Sequence, residues 1–359
     1  MPSIAVYVSS HGFGHAVRIA EVVARLLSLD GGLRVHVCSV APQWLFPRAD
    51  GRVLVHRAAS DVGMVQPNGL TIDFEATLAS LAELERSWER RVSEEAAWLG
   101  ETGVALVIGD IPPLAFAAAD RVGLPSIALG NFDWEWVYRS YAERDERFAT
   151  HARRAAACYG KALYALRLPF HADMDAFRSV VDLPLVARRS GCTRAEARDR
   201  LGLPAERPLV LLSFGGLGFT GIRVERFAEM PEILFLATEA FPDPPANLLS
   251  LDRPDIDYTL LLRACDVVVT KPGYGIVAAS LVNAVRVLYT ARGEFPEAPI
   301  LVRALEEHAT AQFIALEDLE QGAIRGPLRS LLGRPVGETR LAADGAERVA
   351  EILRQEVAR

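Results

Sequence analysis

The segment His11-Gly12-Phe13-Gly14-His15 sets two imidazoles on either side of a pair of glycines. Imidazole changes charge near neutral pH, which suits it to taking a proton from a hydroxyl group. Glycines in a turn that opens a helix let backbone N–H groups approach an anion at the helix's positive end. His15 and His11 therefore read either as residues lining a site or as groups that cap or pack the turn. Asp110 follows the apolar run Val104–Gly109 and precedes Pro112-Pro113, so it is a second candidate base or a helix N-cap. A second glycine-rich turn is Phe214-Gly215-Gly216-Leu217-Gly218, and a third is Thr270-Lys271-Pro272-Gly273-Tyr274-Gly275. In the third, Lys271 adds a compact positive charge of the kind that meets a phosphate. Glu297, in a proline-bounded loop, either accepts hydrogen bonds from sugar hydroxyls or complements the dipole of the helix after it.

These residues have to be held by regular elements, and the apolar pattern supplies them. A β-branched run, Ile4–Val8, leads into the first loop, and Ile19, Val22, Val23, Leu26 and Leu27 follow at helical spacing. Further apolar runs at 34–40, 53–56, 104–108 and 126–129 alternate with helical stretches, the longest over 74–99. Buried runs alternating with helices predict a parallel sheet with right-handed crossovers. An extended linker, Asp182–Arg189, precedes a capping box at Thr193 and Glu196. A second series of runs follows at 208–213, 233–237, 267–270 and 286–289. The stretch 337–357 reads as one amphipathic helix. The glycine turns thus fall between strand and helix in two successive α/β halves. Asn131-Phe132-Asp133-Trp134 follows the fifth run, where its aromatics either stack on a sugar or pack as core.

Composition removes several classes of function. The 359 residues carry a net charge of −7, against a general nucleic-acid binder. No signal peptide and no apolar run long enough for a transmembrane segment is evident, which points to the cytoplasm. Cys38, Cys158, Cys192 and Cys265 form no metal-binding or redox spacing. A dinucleotide fingerprint fails because Val17 occupies the third glycine position, and Val35–Val40 contains no acid for a ribose. No P-loop is present. The acidic triplets Asp173-Met174-Asp175 and Asp255-Ile256-Asp257 do not follow apolar strands, so no metal site is expected, and Asp257 reads as a helix cap.

Val8–Arg18, Gly130–Tyr138, Asp182–Arg189 and Lys271–Gly275 occur in an order that resembles the glycosyltransferase-like N-terminal region of plant L-arabinokinases and its stand-alone bacterial relatives. The second half is more distantly similar to the C-terminal domain of family 28 glycosyltransferases. The resemblance implies a GT-B fold, two Rossmann-like domains with parallel sheets facing a central cleft. It implies a nucleoside diphosphate sugar as donor, with a UDP-sugar favoured, and no cofactor or metal. Nucleotide-sugar contacts carry over to Gly12 and Gly14, to Gly215, Gly216 and Gly218, and to Lys271, Gly273 and Gly275, with Glu297 beside them. The chain departs from the pattern at Ala279, where the family tends to place a ribose-binding Glu, and Ser280 is a candidate substitute. No ATP-binding glycine motif of the kinase half is read in these 359 residues, so arabinokinase activity is not expected to carry over.

The expected domains are 1–185 on the acceptor side, 186–335 binding the nucleotide sugar, and a helix within 336–359 packing back on the first domain. The expected activity is metal-independent transfer of a sugar to an acceptor hydroxyl. His15 or Asp110 is the base, and His11, Asn131, Asp133 and Trp134 lie on the acceptor side. A nucleotide-sugar hydrolase and a non-catalytic sugar-nucleotide-binding module are the alternatives. The acceptor and the oligomeric state are not legible.

Overall fold

The protein is described by a computed structural model over residues 2–67, 70–215, 219, 221–251, 256–337 and 339–358. Two compact units emerge, one of residues 1–65, 72–186 and 341–359, the other of 66–71 and 187–340.

The first unit is built on strands β1 (Ser3–Val8), β2 (Arg34–Cys38), β3 (Val53–His56), β4 (Leu106–Asp110), β5 (Ser126–Gly130), β6 (Tyr164–Arg167) and β7 (Val180–Asp182). Among the described residues they form one parallel sheet in the order β3-β2-β1-β4-β5-β6-β7. Every residue of β1, β4 and β5 is buried. Coverage on both faces explains why these strands read as unbroken apolar runs rather than alternating ones. Helices α1 (Phe13–Leu29), α2 (Phe74–Thr102), α3 (Pro113–Arg121), α4 (Trp134–Ser140) and α5 (Arg147–Tyr159) supply that cover. The long α2 starts where the Asp73 side chain accepts the Ala76 N–H, and it stops at Gly103 in the left-handed region.

The second unit repeats the plan. Its strands are β8 (Leu209–Leu212), β9 (Leu234–Ala237), β10 (Leu248–Ser250), β11 (Val267–Thr270), β12 (Arg286–Tyr289) and β13 (Ala311–Phe313), parallel in the order β10-β9-β8-β11-β12-β13. Helices α6 (Arg194–Leu201), α7 (Tyr258–Ala264), α8 (Tyr274–Val282), α9 (Ala298–His308), α10 (Leu316–Glu320) and α11 (Arg325–Leu332) accompany them. The Thr193–Glu196 capping box opens α6, and Gly202 closes it in the left-handed region. Phe214, Phe227, Phe235 and Leu288 share the core of this unit. In each sheet the order of strand addition reverses between β1 and β4 or between β8 and β11, the position at which open α/β sheets bind ligands.

The C-terminal stretch differs from the single helix expected over 337–357. Only Gly345–Val357 is helical, as α12, and it packs on α1 within the first unit. Before it the chain runs alongside Leu185, whose N–H donates to the Ala342 carbonyl at 3.0 Å, so those residues bond across instead of along a helix. A Cβ on Gly345 would lie 2.3 Å from the Pro184 carbonyl oxygen, so only glycine lets α12 begin there. The strands β6, β7, β10 and β13 were not evident as apolar runs.

Candidate functional site

In the first unit the candidate residues come from the carboxyl ends of β1, β4 and β5. Gly12 is the N-cap of α1 with φ 84°, which glycine adopts without strain, and no side chain caps the helix. A Cβ at Gly12 or at Gly14 would meet nothing within 4 Å. The protein's own packing therefore leaves room for a ligand at the start of α1. His15 follows one residue later and turns inward.

His15 Nδ1 lies 2.8 Å from Asp110 Oδ1. Asp110 is the last residue of β4, fully buried, and Pro112 rather than Asp110 caps α3. Arg18, one turn beyond His15 on α1, donates through Nε to Asp110 Oδ2 at 2.6 Å, and its Nη2 also contacts Oδ1. Burial alone raises the pKa of Asp110, but Arg18 and then His15 outweigh it and hold the carboxyl below its ordinary value. Arg18 Nη2 lies 2.9 Å from the same Nδ1, so both members of the ion pair hold that nitrogen. When Nδ1–H donates to the ionised Asp110, Nε2 is left with its lone pair. Asp110 is accordingly the group that orients His15, and His15 is the one suited to accept a proton.

The acceptor-side residues take more structural parts than expected. Asn131 is fully buried and accepts the Arg18 Nη1–H at 2.8 Å, so it supports the ion pair. Trp134 is likewise enclosed, stacked on Tyr138 at 5.7 Å, with its indole N–H donated to Asp61 Oδ2 at 2.8 Å. It serves as core rather than as a platform for a sugar. Asp133 caps α4 by accepting the Trp136 N–H at 2.8 Å, and burial raises its pKa to about 7. His11 packs edge-on against Trp134 at 5.2 Å. Arg18 and Asp61 are the two residues sequence reasoning missed. Asp61 is buried, accepts the Ser10 N–H at 2.8 Å, and has its pKa raised by burial.

In the second unit the described residues begin the glycine turn at Gly215, with φ 78° and open space where a Cβ would stand. Gly216 and Gly218 lie outside the described residues. At the end of β11, Thr270 donates its hydroxyl to the Ser213 carbonyl at 2.6 Å and so ties the loops after β8 and β11 together. Gly273 is the N-cap of α8 and Gly275 lies in its first turn, again with no side-chain cap. Lys271, beside this helix start, has its pKa lowered to about 7 by burial and by the nearby Arg292. Glu297 is buried and paired with Arg292 at 2.5 Å, and Arg292 also donates to the Pro272 carbonyl at 3.2 Å. Glu297 thus steadies the Lys271–Gly273 loop through Arg292. Ser280 is buried on α8 and its hydroxyl finds no partner among the described residues, whereas Ala279 is partly exposed. Ser280 is therefore poorly placed to replace the carboxylate missing at 279.

Among the described residues, no group of three His, Cys, Asp or Glu is arranged to hold a metal. Asp257 caps α7 by accepting two backbone N–H groups, and Asp255 lies outside the described residues. The cysteines are free. No described helix is long and apolar enough to cross a membrane.

No protein-family model matches the chain. It is 32% identical over 329 residues to the L-arabinokinase of Arabidopsis thaliana, a match covering 89% of this chain and 31% of that protein. The chain thus spans about a third of the length of this curated relative. Among solved structures it is similar to the glycotransferase of kitacinnamycin, with a TM-score of 0.64 and 18% identity over 99% of this chain and 95% of the other. UGT2 of Phytolacca americana, in complex with UDP-2-fluoro-glucose and pterostilbene, superposes with a TM-score of 0.60 at 14% identity, covering 100% and 94%. VinC, in complex with dTDP, gives 0.57 at 18% identity, covering 99% and 95%. The fold is therefore GT-B, and the chain is homologous to the glycosyltransferase-like part of L-arabinokinase.

Proposed function

From a GT-B chain with that homology, we propose a glycosyltransferase that moves a sugar from a nucleoside diphosphate sugar to an acceptor hydroxyl. The observation that carries this reading is the His15–Asp110–Arg18 arrangement at the strand-order reversal of the first sheet. His15 Nε2 takes the acceptor's proton as the hydroxyl oxygen bonds to the anomeric carbon. The bond from that carbon to the diphosphate oxygen breaks, and the electron pair leaves with the diphosphate. Asp110 keeps the proton on Nδ1 and stabilises the imidazolium that forms. Lys271 and the uncapped start of α8 offer positive charge for the leaving diphosphate in place of a metal. The nucleotides named with the structural relatives, UDP and dTDP, make these the first donors to try.

A product assay across UDP-, dTDP- and GDP-sugars, with and without EDTA, tests the reading. A glycosylated acceptor formed equally well in EDTA supports it, and turnover that requires magnesium or manganese refutes the metal-free account. Ala279 favours a second reading, a module that binds the nucleotide sugar without turnover, since that position of α8 carries no carboxylate. Binding with no product under every condition would select it. Release of free sugar alone would identify a hydrolase.

A further inference from the structure

Residues 66–71 belong to the second unit, although the residues on either side of them belong to the first. The chain leaves and returns through a closed neck. The Asp73 N–H donates to the Val65 carbonyl at 2.9 Å, and Asp73 is also the N-cap of α2. Thr77, fully buried at the start of α2, ties the neck from both sides. Its Oγ1 accepts the Val65 N–H at 2.9 Å and donates to the Asp73 carbonyl at 2.6 Å. A loop whose ends are bonded to each other and to a helix start is held as one piece, unlike a slack linker. At its far end Leu70 is buried, and the Leu70 backbone lies against Gly293, in the loop after β12. A Cβ on Gly293 would stand 2.2 Å from the Leu70 carbonyl oxygen and 3.4 Å from the carbonyl carbon, and Gly293 has φ 58°. Space and backbone conformation both demand glycine there.

The neighbour of Gly293 braces the Lys271 turn. Arg292 donates to the Pro272 carbonyl at 3.2 Å, pairs with Glu297 at 2.5 Å and lies over the Phe295 ring at 4.4 Å. Burial and then Arg292 lower the pKa of Lys271 to about 7, so the two loops act on each other electrostatically as well as through the Pro272 bond. We infer that residues 66–71 are a clasp that holds the Arg292 loop, and through it the Lys271–Gly273 turn, in the form that receives a nucleotide. Thr77 is then a positioning residue that acts on the turn through the neck and the clasp. The part of the nucleotide rests on the glycosyl-transfer reading; the holding of the loop does not. Apparent affinity scales with the fraction of molecules whose loop is already in place, so a clasp that lets go weakens binding in proportion.

The test compares Thr77→Val, which keeps the shape of the side chain but removes both neck bonds, with Thr77→Ser, which keeps the hydroxyl. Hydrogen–deuterium exchange of the full chain without ligand is read over 271–275 and 290–297. In Thr77→Val exchange over both segments should quicken by about tenfold, while β1 and β8 stay as protected as in the parent. Calorimetry should show UDP or dTDP weakened by about tenfold, or about 1.4 kcal/mol. Thr77→Ser should restore both readouts. Gly293→Ala attacks the same contact from its other side and should give the same two effects, which keeps the test decisive if Thr77→Val does not fold. Exchange over 271–275 and 290–297 that matches the parent in both variants overturns the inference. Quickened exchange with undiminished nucleotide affinity overturns it equally. A Thr77 that only stabilises α2 would lower the melting point and move neither readout. A parent chain that binds no nucleotide, with exchange quickened in the variants, sinks the nucleotide-sugar reading and leaves the clasp standing.

Discussion

His15 and Asp110 have unequal freedom to act, because Arg18 claims the carboxylate and leaves the imidazole's far nitrogen unclaimed by it. His15→Ala should lower turnover by about 100-fold or more, the usual loss for a general base. Nucleoside diphosphate binding should hardly change, and one lost hydrogen bond should cost only about 1 kcal/mol of stability. Steady-state kinetics beside thermal unfolding separate the two effects; intact turnover with a lowered melting point would make His15 a structural residue. Asp110→Asn is a poorer probe of chemistry, since it removes the buried carboxylate charge paired with Arg18 and should itself cost about 3–5 kcal/mol of stability. At Lys271 the consequence is a pH dependence. Its pKa in the folded chain is about 7, against an ordinary value of 10.5. A bound diphosphate pulls that value back up, so between about pH 7 and 10 binding should take up as much as one proton. Affinity should then fall as pH rises through that window, while below it the lysine is already charged. Calorimetry at pH 8 in buffers of different ionisation enthalpy measures the uptake. No uptake, or uptake that persists in Lys271→Met, would remove Lys271 from the diphosphate site.

At the scale of elements, α12 depends on one residue with no side chain. Gly345→Ala would drive a Cβ against the Pro184 carbonyl and also crowd Leu185, both backbone and neither able to swing aside. Loss of about 1–3 kcal/mol is expected, the range for overpacking a tight site. A denaturant midpoint equal to that of the parent would show that α12 starts elsewhere. The same helix marks a limit of reading structure from pattern. Its apolar spacing was visible, but the carbonyl of Ala342 paired with Leu185 was not, because nothing local signals a backbone bond to a segment far away in sequence. Strands β1, β4, β8 and β11 were legible because burial on both faces gives unbroken apolar runs. The three-residue strands β7, β10 and β13 were not, since so short a run carries no period to detect. The site divides in the same way. His15 stood out as an imidazole in a glycine turn. Arg18 looked like any solvated charge on a helix, and Asp61 lay in a loop without periodicity, so only tertiary contact shows that both are buried.

The molecule as a whole is two sheets of like order, and the unit built on the first of them is discontinuous in sequence. That unit closes only when residues 341–359 return after the entire second series of strands. On α12, Ala346, Val349, Ala350 and Leu353 are all buried. Burying a valine or leucine side chain contributes about 1.5–3 kcal/mol and an alanine less, so the helix as a whole is worth roughly 4–7 kcal/mol. That is comparable to the entire stability of an ordinary domain, about 5–15 kcal/mol. A fragment of residues 1–186 should therefore unfold at much lower denaturant than the intact chain, or fail to fold. A synthetic peptide of residues 341–359 added in trans should restore its stability in proportion to the peptide's concentration, because only the folded fragment has a place for it. Circular dichroism during urea titration, at increasing peptide concentration, reads this directly. A fragment as stable alone as with the peptide would mean that the return of the C-terminus contributes nothing to the first unit.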